Sequence, residues 1–86
     1  MIRIWAKIMK DGKIIKDTIY ESFAPVSYTT FYESLVEICH SFDITTPVMI
    51  KKHFDNFNEF NNTRFLPRDF LEHVPFDYLV IENALL

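Results

Sequence analysis

Six phenylalanines crowd the stretch from Phe54 to Phe76: Phe54, Phe57, Phe60, Phe65, Phe70 and Phe76, out of nine in the chain. Asparagines, acids, Arg64 and Arg68 separate them. A buried aromatic ring removes a large apolar area from water, so this stretch has to dock on the rest of its own chain or on a partner. An 86-residue chain has room for one core, and residues 1–86 read as a single domain. Aromatic residues make up 16% of it, which is high for so small a core and leaves some rings available to a partner.

The segments around that stretch supply its docking surface. Ile2, Ile4, Ala6 and Ile8 alternate with Arg3, Trp5, Lys7 and Met9, a period of two that predicts a half-buried strand. Asp11-Gly12 is a hairpin turn signal, and Ile14 to Glu21 is the returning strand. Two registers compete. A two-residue turn pairs Ile8 with Ile15 and sets Asp17 opposite Ala6. A three-residue loop with Gly12 as a bulge pairs Ile8 with Ile14 and sets Lys16 there instead. The second is preferred, because a lysine can snorkel to the edge and an aspartate cannot.

Thr30 and Glu33 match a capping box that opens a helix running to about Phe42, with Phe31, Leu35, Ile38 and Phe42 as its buried stripe. Pro47 to Ile50 reads as a short strand. Phe54, Phe57 and Phe60 suggest one or two helical turns, weakened by the neighbouring asparagines. Leu66 to Glu72 suggests another short turn, with Pro67 at its first position. Phe76 to Glu82 is a last strand, apolar on both faces and therefore central. The order predicts an α+β fold: a small mixed or antiparallel sheet of about four strands, covered by one main helix. The Phe54–Phe70 stretch forms a second cover.

Candidate chemistry is sparse. Net charge is −3, so the chain as a whole is no basic nucleic-acid binder. Gly12 is the lone glycine, which excludes a glycine-rich phosphate loop. Cys39 is the lone cysteine, so no internal disulfide can form, and a reducing, cytoplasmic setting is expected. Neither a signal peptide nor a membrane span is apparent. His40, His53 and His73 have no ligand spacing for zinc, and no metal or cofactor is expected. Cys39 and His40 are adjacent on a helix, so their side chains diverge, and Cys39 reads as a small core residue. With no nucleophile elbow or paired carboxylates, no enzyme activity is expected.

Three clusters remain. Lys51-Lys52-His53 can receive a phosphate or carboxylate, although a solvated strand end is the plainer reading. Arg64 sits among rings and acids, where it either ties the loop to Asp55, Asp69 or Asp77 or anchors a partner. Phe57, Phe60, Phe65 and Arg64 form the candidate partner-binding set, for another protein or a second copy in a homodimer. Arg3, Trp5 and Lys7 interleave cations with an aromatic on one strand face, as single-stranded nucleic-acid modules do. The first sixteen residues carry five cations and one acid. That net +4, against −3 overall, leaves −7 on the rest and makes nucleic acid the secondary reading. The primary expectation is a non-enzymatic protein-binding or self-assembly module.

Overall fold

A computed structural model describes residues 1–85 and places four antiparallel strands and two helices in one α+β unit. The strands are β1 (Ile2–Lys10), β2 (Lys13–Ser22), β3 (Asn62–Phe65) and β4 (Tyr78–Asn83); the helices are α1 (Tyr28–Ser41) and α2 (Lys51–Phe60). The sheet order is β2-β1-β4-β3, so the first and last strands are central and two edges remain. Ile2, Ile4, Ala6 and Ile8 of β1 and Leu79 and Ile81 of β4 form the buried face. The stripe Phe31, Leu35 and Ile38 of α1, continued by its C-cap Phe42, covers that face, with Cys39 beside it. The α1 register is the expected one.

The hairpin follows neither expected register. Asp11 and Gly12 both adopt positive φ, 53° and 74°, and make a two-residue turn between Lys10 and Lys13. Ile15 is then the extra residue of a bulge: Met9 pairs with Ile14, and Ile8 with Lys16. The shift sets Thr18, rather than Asp17 or Lys16, opposite Ala6. It thereby removes the conflict that made both simpler registers poor.

The start of α1 also differs. Its N-cap is Ser27, whose hydroxyl accepts from Thr30 N at 3.1 Å while Ser27 N donates to Thr30 Oγ1 at 2.9 Å. Thr30 is therefore the reciprocal partner within the box and not the cap, and the helix begins one turn earlier than Thr30-Glu33 suggests.

The second half departs further. Pro47 to Ile50 is no strand; it is a connector, tethered by Val48 N to Asp69 O at 2.8 Å, that ends as the N-cap of α2. The strand slot belongs to β3, four residues long, whose register is set by β4. The phenylalanine spacing 54, 57, 60 does mark a helix, but α2 runs for ten residues and packs on the same sheet face as α1: the rings of Phe31 and Phe57 lie 4.7 Å apart. Among the described residues no helix covers the opposite face. Its apolar Val80 is buried there between its register partners Lys7 and Arg64 on the neighbouring strands. Pro67 opens a 3₁₀ turn, Pro67–Asp69, as its position predicts. Phe76 lies outside β4, its ring edge-on to Phe70 at 5.5 Å.

Candidate functional site

The chain reverses at Asn61, which takes the left-handed conformation at φ 62° and donates its N–H to Phe57 O at 3.0 Å. Helix α2 therefore runs one way and β3 returns alongside it. Lys52, Asn56 and Phe60 recur at helical spacing of four and line a groove between α2 and the outer side of β3. Its volume is about 760 Å³. The far wall is Arg64 of β3, with Leu66 and Arg68 beyond it.

That wall includes a free strand edge. Asn83 N donates to Asn61 O at 2.8 Å, which fixes the alternation: Asn61, Thr63 and Phe65 turn their backbone groups toward β4. Asn62 and Arg64 then point their N–H and C=O outward, to the groove. Leu66, next in the outward series, confirms the phase: its N–H is taken by Asp69 Oδ2 at 2.8 Å.

His53 joins the two walls. Its ring stacks on Phe65 with centroids 4.3 Å apart, and Nδ1 accepts from Ile50 N at 3.1 Å, capping α2. The proton of a neutral ring then sits on Nε2, which faces Asp69 Oδ2 at 3.5 Å. The N-cap Ile50 supplies no side-chain acceptor, so α2 begins without a side-chain cap on its first amides at the end of the groove that Ile50, Lys52 and His53 line.

The structure divides the candidate partner set. Phe57 and Phe65 are 4% and 0% exposed and serve the core; Phe60 is 60% exposed and borders the groove with Arg64. Arg64 makes no tie to Asp55, Asp69 or Asp77. Lys51 holds Asp55 at 2.7 Å, Leu66 N holds Asp69, and Asp11 N holds Asp77 at 2.8 Å. The Arg64 guanidinium lies over Tyr78 instead, 4.6 Å from its ring centre. Among the described residues Lys52, Arg64 and Arg68 form no ion pair. Two clusters that are separate in sequence, Lys52-His53 of the Lys51-Lys52-His53 run and Arg64 with Arg68, thus meet at one groove. The contacts of His53 with Phe65 and Asp69 bring them together, and no local pattern reports these.

One buried group beside the groove is unmatched: Thr63 is 3% exposed, and its hydroxyl has no hydrogen-bond partner among the described residues. Cys39 is fully buried, and burial pushes its thiol from 9.0 up to about 12. His40 and His73 border a second depression with Asp43 and Glu72, yet no three metal-ligating side chains converge among the described residues.

Arg3, Trp5 and Lys7 do share the open sheet face, each with an acid beside it. Arg3 lies 3.9 Å from Glu21, the Trp5 indole N–H donates to Asp17 at 2.9 Å, and Lys7 lies 3.5 Å from Glu82. Lys7 Nζ also sits 3.9 Å from the Trp5 ring centre. Among the described residues no helix is long and apolar enough to cross a membrane. Comparison of the chain with family models, with curated proteins and with solved structures finds no match.

Proposed function

We propose that the chain is a non-enzymatic protein-binding module that receives an extended segment of a partner along the β3 edge, under α2. The observation that carries this reading is the pair of outward backbone groups at Asn62 and Arg64, beside a groove walled by a helix and ended by the exposed ring of Phe60. An added strand draws its affinity from main-chain hydrogen bonds and its selectivity from the pockets beneath alternate side chains. The other edge suits this role less well. Strand β2 is broken by the bulge at Ile15 and carries Lys13, Lys16, Asp17 and Glu21, which discourage pairing. A homodimer through two β3 edges would bring the Arg64 cations of both copies to one seam, which disfavours it. A cytoplasmic setting fits a protein whose one cysteine is free and buried.

The secondary reading, single-stranded nucleic acid on Arg3, Trp5 and Lys7, has aromatic and cationic residues on one face in its favour. It has the interleaved Asp17, Glu21 and Glu82 against it, because they cancel the charge that phosphates need.

Selection of random extended peptides against the immobilised domain tests the primary reading. Selected peptides should shift the amide resonances of Asn62 and Arg64. Arg64→Pro removes one outward N–H without touching the ladder to β4, so it should weaken binding more than Arg64→Ala does. Equal effects of the two substitutions, or shifts confined to Trp5 and Lys7, would overturn the reading.

A further inference from the structure

The proposed groove has a charge and a polarity that specify its occupant. Lys52, Arg64 and Arg68 border it without ion-pair partners among the described residues, and α2 begins beside Lys52 with no side-chain cap on its first amides. The one acid lining it, Asp69, already accepts from Leu66 N at 2.8 Å and faces His53. A cationic groove on a chain of net charge −3 marks a local preference and not a general one.

We infer that the partner segment is an extended strand in which acidic residues alternate with apolar ones. This rests on the strand-addition reading above. The alternation follows from the pleat. Residues of an added strand level with Thr63 and Phe65 project toward the helix side, where Ile50, His53 and Phe60 wait. Residues level with Asn62 and Arg64 project to the open face, where the guanidinium of Arg64 can meet a carboxylate. Lys52 and Arg68, at the end of the groove opposite Phe60, take a further carboxylate beside the helix N-terminus. A four-residue edge of about 13 Å matches a segment of four or five residues.

A second copy of the chain fits this chemistry poorly: its β3 edge carries Arg64, and its β2 edge is broken at Ile15 and mixes Lys13 and Lys16 with Asp17 and Glu21. A heterologous pairing of β2 with β3 would build a ring or a filament and not a two-fold dimer.

The test uses the whole domain and three blocked synthetic peptides of equal length. In all three valine alternates with a second residue: glutamate, serine or lysine. Binding is read from the amide shifts of Asn62 and Arg64. The glutamate peptide should bind tightest, by about three- to tenfold over the serine peptide, and should weaken as salt rises. The double variant Lys52→Glu with Arg68→Glu changes two exposed side chains, keeps the fold, and should transfer the preference to the lysine peptide. If the serine peptide binds as tightly as the glutamate peptide and shifts the same amides, the acidic preference falls and strand addition stands. If no peptide moves those amides at millimolar concentration, strand addition itself falls, and this inference with it. An oligodeoxythymidine that displaces the glutamate peptide from the groove and binds more tightly would replace an acidic protein segment with a phosphate polyanion, and overturn the inference.

Discussion

The imidazole of His53 lies 4.3 Å from the ring of Phe65, centroid to centroid, with planes 29° from parallel. This contact fastens the first turn of α2 to the last residue of β3, and so fixes the two walls of the groove relative to each other. His53→Ala removes both the ring contact and the acceptor for Ile50 N–H. Each is worth roughly 1 kcal/mol, so the variant should lose about 2 kcal/mol in urea unfolding. A loss near zero would mean that the walls are held by something else.

The stripe of α1 should behave as core. Leu35 is among the fully buried side chains, and Leu35→Ala should cost about 2–5 kcal/mol, read as a lower urea midpoint at unchanged slope.

Phe57 and Phe60 are three residues apart and should respond oppositely. Phe57→Ala should cost about 3–5 kcal/mol, while Phe60→Ala should move monomer stability by less than about 0.5 kcal/mol and weaken peptide binding. A large thermal destabilisation by Phe60→Ala would place that ring in the core and remove it from the groove.

These contrasts show where the sequence was readable. The hairpin at Asp11-Gly12 is legible because two successive positive-φ positions demand such residues, but its two-residue turn is the alternative that the preferred bulge at Gly12 sets aside. The bulge at Ile15 is not legible, because it answers a conflict at Ala6 that exists only once β1 and β2 are paired. Strand β3 was hidden for a related reason. Asn62 and Arg64 have little strand preference of their own, and β4 imposes the conformation through its ladder. The run from Pro47 to Ile50 reads as the better strand by composition, yet its own proline and the helix start at Lys51 leave it no room. Of the site, Phe60, Arg64 and the Lys52-His53 pair were legible as separate fragments. Their meeting was not, because it depends on a ring contact twelve positions apart in the chain.

The unmatched hydroxyl at Thr63 gives a prediction of unusual sign. Thr63→Val keeps the branched shape and removes a buried oxygen that has no partner among the described residues. Stability should stay level or rise by up to about 1 kcal/mol in thermal unfolding. A clear loss would show that the hydroxyl has a partner.

Cys39 supplies the pH dependence. Its thiol rises from 9.0 to about 12 in the folded chain because burial disfavours the thiolate. The native protein should therefore react slowly with a thiol reagent near pH 8 and rapidly once unfolded. Between the two values the folded state keeps a proton that the unfolded state has released. This contribution is intact below 9.0 and is lost as pH climbs toward about 12. Cys39→Ala should make the alkaline decline in stability shallower; an unchanged slope would contradict this.

The claim that β3 offers a free edge is tested most directly by amide hydrogen exchange along Asn62–Phe65 in the isolated protein. The account predicts alternation: slow exchange at Thr63 and Phe65, which donate to β4, and fast exchange at Asn62 and Arg64, which face the groove. Equal protection at all four amides, unaffected by dilution, would mean that the outer edge is already covered within the chain, and would contradict the account.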